Sequence, residues 1–253
     1  MIDQVATDSI LFSIVIPVYN ESENIEPIVR EVQAAFQGRT EAFEIIFVDD
    51  ASTDDSAAVL ERLASETGVV RSLRHCRNFG QSAAVATGFQ AARGDWIGTL
   101  DGDGQNDPAD LPLMLDEALR LRVDCVTGVR SKRQDSVIRK ISSRVANRFR
   151  DWITGDRVTD SACGVRVVRA DCVLELPVFN GLHRFMPTLL RAKGYVVAEF
   201  TVNHRPRLCG VSKYGVHNRL WRGIRDCFGV RWYVKRAIPG GRLGSVLARD
   251  RNQ

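Results

Sequence analysis

The sequence predicts an α/β fold with a mostly parallel sheet flanked by helices. Five short apolar runs alternate in order with four segments of helical periodicity. Most of those runs are continuously apolar, the pattern of parallel strands covered on both faces rather than of strands with one wet face. The 253 residues are 44% hydrophobic and 26% charged, enough for one large domain with a sizeable core.

The strands are predicted at "LFSIVIPV" (11–18), "FEIIFVDD" (43–50), "VVRSL" (69–73), "WIGTLD" (96–101) and "DCVTGV" (124–129). Helices are predicted at 22–36, 52–66, 80–93 and 108–121. Ser52 with Asp55 resembles a capping box at the start of the second helix, and Pro108 stands where a first-turn proline is tolerated. The order β-α-β-α-β-α-β-α-β implies a parallel sheet with helices on both faces. The chain divides into a tail (1–10), the α/β domain (11–215), an amphipathic segment (216–237) and a polar tail (238–253).

The opening residues lack a basic region followed by a long apolar one, and no stretch approaches 18 apolar residues. Six cysteines are scattered without a C-x-x-C pair, as expected of free thiols. The expected location is therefore cytoplasmic. Charge is distributed unevenly. Residues 1–128 hold 9 basic and 22 acidic side chains, net −13, whereas residues 129–253 hold 26 basic and 9 acidic, net +17. An acidic half suits a bound cation and a basic half suits an anionic substrate or surface.

In such sheets ligands bind outside the carboxyl ends of the strands. Pro17, Tyr19, Asn20 and Glu21 follow the first strand, Asp49 and Asp50 close the second, and Asp101 and Asp103 end the fourth within "TLDGDGQNDP". Carboxylates that converge in this way repel one another unless a cation or hydrogen-bond donors compensate. The D-x-D spacing lets two carboxylates reach one hard cation, with Gln105 as a third oxygen, and Gly102 and Gly104 allow close backbone approach. An EF-hand fails because Asn106 stands at its glycine and Pro112 at its glutamate. Neither G-x-G-x-x-G after the first strand nor a P-loop is present, which excludes the common dinucleotide and P-loop sites.

Four ordered motifs, "SIVIPVYNESENI", "VDDASTDDS", "RNFGQSAAVATGF" and "GDWIGTLDGDGQNDP", resemble those of family-2 inverting glycosyltransferases. "TDSACGVRVVR", "GLHRFMPTLL" and "NHRPRLCGVSKYG" are similar to the branch containing dolichyl-phosphate mannose synthase and bacterial polyprenyl-phosphate glycosyltransferases. The resemblance implies a GT-A fold, a nucleotide-sugar donor (UDP- or GDP-linked), Mg²⁺ or Mn²⁺, and a polyprenyl phosphate acceptor. It implies that Pro17, Tyr19, Glu21, Val48, Asp50, Asp101, Gly102 and Asp103 hold the donor, and that Asp101, Asp103 and Gln105 hold the metal. Arg207 and Lys213 match a mobile loop that faces the phosphates and, with Asp103, form the expected catalytic set. Arg130, Arg139 and Arg166 match the acceptor-phosphate side, with Asp160 and Gly164 in the same motif.

A phosphate acceptor already carries an anionic oxygen and needs no base, so the protein must bring two anions together and align them. A hydroxyl acceptor would need a base, for which Asp160 is the candidate. A non-catalytic nucleotide-sugar-binding module would not need Asp103 or the "RLCGVSKY" loop, and both are present. A nucleic-acid partner is not expected, because the basic half shows no nucleic-acid-binding module. The four histidines include no close metal-binding pair, although His204 in "HRPR" could approach a phosphate, and Cys163 reads as packing.

In residues 218–236, Leu220, Trp221, Ile224, Cys227, Phe228 and Trp232 fall in an arc of roughly 140°, with Arg219, Arg222, Arg225 and Arg236 outside it. This pattern predicts a helix lying on an anionic membrane surface at its inner face, with a separate membrane partner as the alternative. Gly223 and Gly229 each weaken a helix by about 1 kcal/mol, so a break is expected near Gly229.

Overall fold

The computed structural model describes residues 12–130, 148–206 and 216–238, with side chains of the last segment from 223 onward. The expected alternation is present. β1 (Phe12–Val18), α1 (Ser22–Ala35), β2 (Phe43–Asp49), α2 (Ser56–Thr67), β3 (Val70–Arg74), α3 (Gln81–Ala91), β4 (Trp96–Thr99), α4 (Asp110–Leu121) and β5 (Cys125–Arg130) follow in order. Beyond them lie α5 (148–154), β6 (Arg166–Arg169), α6 (Ala170–Leu174), α7 (Leu182–Ala192), β7 (Val197–Val202) and α8 (Val216–Val234).

Among the described residues, seven strands form one sheet in the order β3-β2-β1-β4-β6-β5-β7. β1, β2, β3 and β4 are mutually parallel, and β5 pairs parallel with β7. β6 runs antiparallel between β4 and β5, so the predicted β4-to-β5 succession is interrupted. This reversal places Arg166, the first residue of β6, opposite Thr99, the last of β4.

Apolar residues cover both faces, as the continuous runs require. Phe12, Ile14, Ile16 and Val18 pack with Ile25, Val29, Leu60, Leu111 and Met114 of α1, α2 and α4. Val15, Ile46, Val48 and Ile97 pack on the other face with Ala84, Val85, Phe185, Met186 and Leu189 of α3 and α7. Each fully buried aliphatic or aromatic side chain here contributes about 1.5–3 kcal/mol.

Three local expectations are corrected. Helix α2 begins at Ser56, with Asp55 as N-cap and no side-chain cap. Ser52 is instead recruited by the neighbouring loop, its Oγ accepting the Asn20 N–H at 2.9 Å while its own N–H reaches Asp49 Oδ1. Helix α8 runs unbroken through Gly229, because tertiary packing of Cys227 and Val230 into the core outweighs the glycine's propensity cost. The apolar arc of that helix is divided: Cys227 is buried, whereas Phe228 and Trp232 are exposed.

Candidate active site

The site is built from the loops at the carboxyl ends of β1, β2 and β4. After β1, Asn20 adopts φ 54°, a left-handed conformation that asparagine tolerates, and its side-chain oxygen accepts the Thr53 N–H at 2.7 Å. Glu21 caps α1 and accepts the Asn24 amide at 2.7 Å. Half-buried Pro17, Tyr19 and Glu21 thus line the β1 end. The Val48 side chain is fully buried in the α3-side core, so this position shapes the β2 end without displaying a side chain.

Asp50 is saturated by the protein. One carboxylate oxygen accepts the Phe79 N–H at 2.9 Å and meets His75 Nδ1 at 2.7 Å, and the other accepts the Gly80 N–H at 2.7 Å. It therefore clamps the 75–80 loop, which leads into α3. Sequence reasoning missed His75, since only the fold brings it to Asp50.

Asp101 is at the centre. Its backbone N–H donates to Asn106 Oδ1 at 2.9 Å, and its Oδ1 accepts Gln81 Nε2 from the first residue of α3 at 2.8 Å. Burial first, then repulsion from Asp103, push its carboxyl up to about 6, against the attraction of Arg166 and Arg130. Gly164 lies against it, and any Cβ there would sit 2.1 Å from Asp101 Oδ2. A Cβ on Gly102 would come within 2.8 Å of the Pro17 carbonyl oxygen, which ties the D-x-D turn to the end of β1.

These two carboxylates fit a divalent cation. One is partly buried, both repel, and the glycine cradle leaves space only for the carboxylate. Among the described residues no group of three His, Cys, Asp or Glu side chains converges; the donors on offer here are the two carboxylates and amide oxygens such as Gln105 Oε1. Gln105 is held by its other end, its Nε2 donating to the Arg205 carbonyl at 3.3 Å. Arg205 donates its N–H to the Gln105 carbonyl at 2.8 Å and pairs with Asp107 and Glu31, stitching segment 203–206 to the D-x-D turn.

On the β5–β6 side, Arg130 and Asp160 form a bidentate pair at 2.7 and 2.8 Å, with Asp160 buried. Arg166 is buried beside Asp101. Cys163 is buried in the core with its thiol pushed up by burial, in keeping with packing. Arg139, Arg207 and Lys213 lie outside the described residues. Gln81, Asn106, Thr99, Ser82 and His183 also belong to the site's framework; the motifs "RNFGQSAAVATGF", "GDWIGTLDGDGQNDP" and "GLHRFMPTLL" contain them, but none was assigned a site role from the sequence.

Comparison with known proteins accords with this geometry. The chain is 37% identical over 245 residues to a dodecaprenyl-phosphate galacturonate synthase of Rhizobium johnstonii, covering 94% of this chain and 72% of the relative. It is 40% identical over 204 residues to an undecaprenyl-phosphate 4-deoxy-4-formamido-L-arabinose transferase of Pseudomonas fluorescens, covering 80% of this chain but 59% of that protein's length. The fold matches glucosyl-3-phosphoglycerate synthase of Mycobacterium tuberculosis, solved with Mn²⁺ and UDP, at TM-score 0.64 and 17% identity, covering 91% of this chain and 82% of that one. It also matches a Pyrobaculum calidifontis mannosyltransferase solved with GDP-mannose and Mn²⁺, at TM-score 0.61 and 18% identity, covering 89% and 63% respectively. The architecture is thus the GT-A glycosyltransferase fold. The family model for glycosyl transferase family 2 matches residues 13–171, which contain every strand end that forms the site, and the chain belongs to that family.

Proposed function

We propose that the chain is a metal-dependent inverting glycosyltransferase that moves a sugar from a nucleotide sugar to a polyprenyl phosphate. One observation carries the acceptor assignment. The carboxylate of the acceptor-side motif, Asp160, is locked to Arg130, so this side of the cleft offers cations and holds its carboxylate in a structural pair. A hydroxyl acceptor requires a base to remove its proton, whereas a phosphate monoester brings its own anionic oxygen. The two named relatives, both acting on polyprenyl phosphates by name, support the same reading.

In this reading Pro17, Tyr19, Glu21 and the β2 end at Val48 and Asp50 hold the nucleotide, with Asp50 acting through the 75–80 loop. Asp101, Asp103 and Gln105 would hold Mg²⁺ or Mn²⁺. When bound, such a cation supplies Lewis-acid neutralisation of the departing diphosphate. Arg139 and Arg166, with Arg130 from its pair with Asp160, would serve the acceptor phosphate, and Arg207 and Lys213 the donor phosphates.

The acceptor is a lipid, and among the described residues no helix is long and apolar enough to cross a membrane. We infer peripheral contact with the membrane from the aromatic surface of α5 and α8. Trp152 of α5 and Phe228 and Trp232 of α8 are exposed, with Phe149 and Trp152 rings 6.3 Å apart and Arg236 over Trp232. The two helices touch, Arg231 donating to the Ile153 carbonyl at 2.8 Å, and exposed Arg148, Arg225, Lys235 and Arg236 border the aromatics. Aromatic rings ringed by cations suit the headgroup region of an anionic membrane. We place this contact at the inner membrane face.

A thermal-shift panel of UDP- and GDP-sugars with Mg²⁺ or Mn²⁺, followed by product analysis with undecaprenyl phosphate, tests the reading. A metal-dependent shift and a glycosyl-phosphate lipid are expected. Nucleotide-sugar binding with no lipid product would overturn the acceptor assignment.

A further inference from the structure

Arg166 is 3% exposed, its Nε has no hydrogen-bond partner, and it makes no ion pair among the described residues. A buried guanidinium in that state is costly until an anion arrives. Arg166 stands opposite Thr99 at the end of β4, two residues before Asp101, and the adjacent α3 residues Gln81 and Ser82 bond Asp101 and His183 respectively; besides the buried Cys125 and Cys163 thiols, its charge reaches the Asp101 carboxyl and the His183 imidazole. When a divalent cation occupies Asp101 and Asp103, Arg166 is left to serve another anion.

His183, second residue of α7, is fixed from behind. Ser82 Oγ accepts the Gly181 N–H at 2.8 Å and lies 2.7 Å from His183 Nδ1. The Ser82 hydroxyl has one proton, and among the described residues its oxygen meets no acceptor other than Nδ1, so that proton goes to Nδ1. Nδ1 is thus the acceptor, and the ring's own proton is on Nε2. Nε2 has no hydrogen-bond partner among the described residues and is not shut away from solvent. Burial, then Arg166 and Arg184, hold the ring's pKa down at about 3, so it stays a neutral donor. A neutral N–H donor near a buried cation that has no ion-pair partner among the described residues suits an oxyanion.

Resting on the polyprenyl-phosphate reading, we propose that Arg166 and His183 together bind the acceptor phosphate, Arg166 supplying charge and His183 Nε2–H fixing one oxygen while another attacks the anomeric carbon. Ser82 is the positioning residue that selects the tautomer. A neutral donor suits this task, because an imidazolium could hand its proton to the nucleophile and weaken it.

The test uses full-length protein loaded with Mn²⁺ and UDP, with farnesyl phosphate and farnesol as probes in calorimetry. His183→Gln carries an amide to the Nε2 position, whereas His183→Asn places it at Nδ1, where it satisfies Ser82 and offers nothing to the phosphate. Wild type and His183→Gln are expected to bind farnesyl phosphate within about threefold of each other, and His183→Asn about tenfold more weakly, the scale of one hydrogen bond to a charged group. UDP binding stays unchanged in all three. If His183→Asn binds the phosphate like wild type while His183→Gln does not, the ring's role is its bond to Ser82 and the assignment is wrong. Equal binding by all three also rejects it and leaves the acceptor reading intact. Wild type that binds farnesyl phosphate no better than farnesol overturns the acceptor reading, and the assignment with it.

Discussion

Gly164 is pressed so closely against Asp101 that a Cβ on it would fall 2.1 Å from Oδ2. Neither partner can yield cheaply, because Gln81 holds the Asp101 carboxylate and Thr99 Oγ1 donates to the Gly164 carbonyl at 2.6 Å. Gly164→Ala should therefore displace the carboxylate by about an ångström and lower turnover at least about 100-fold. Steady-state assays with saturating Mn²⁺ check this. Normal turnover would show that Asp101 is not held where transfer occurs.

Asp103 contributes repulsion to Asp101 in the metal-free protein. Asp103→Asn removes that repulsion along with a metal ligand. Turnover is expected to fall at least about 100-fold, while metal-free stability is unchanged or slightly higher. Urea unfolding and metal-saturated kinetics separate the two effects, and near-normal turnover would remove Asp103 from the metal site.

Acid stability should report the His183 environment. Its folded pKa, about 3, lies below the ordinary 6.5, so only the unfolded chain takes up the proton between those values. Stability from this group is full above 6.5 and is lost as pH falls towards 3. Relative to wild type, His183→Gln should lose about 2 kcal/mol less unfolding free energy between pH 7 and pH 5. Parallel pH profiles for the two proteins would show that the ring is not held neutral.

The aromatic surface shared by α5 and α8 predicts salt-sensitive lipid binding. Flotation with anionic liposomes should carry the protein upward at low salt and release it at high salt, where charge is screened. The double substitution Trp152→Ala, Trp232→Ala should lose flotation at low salt without a change in melting temperature, since both side chains are exposed. If wild type stays at the bottom at low salt, access to the lipid depends on a separate membrane partner.

β1 to β5 and α1 to α4 were legible because continuous apolar runs and helical periodicity are local signals. The predicted strand at 43–50 is found at Phe43–Asp49 and the helix at 108–121 at Asp110–Leu121. β6 was not legible. It has four residues, "RVVR", and its insertion between β4 and β5 depends on long-range antiparallel pairing that no local pattern encodes. The same division holds in the site. Asp101 and Asp103 announce themselves as acids at a strand end, but Ser82 meets His183 across 101 residues and Arg130 meets Asp160 across 30. Those pairings decide which groups are consumed structurally and which face a ligand.

In the proposed reaction the nucleophile is a phosphate oxygen that needs no protein base. The most direct test of this is competition, in one reaction, between undecaprenyl phosphate and undecaprenol at equal concentration, with the nucleotide sugar that gives the largest metal-dependent thermal shift. The sugar is expected only on the phosphate, with inverted anomeric configuration. Transfer to the alcohol at a comparable rate, or retained configuration on the phosphate, would contradict it.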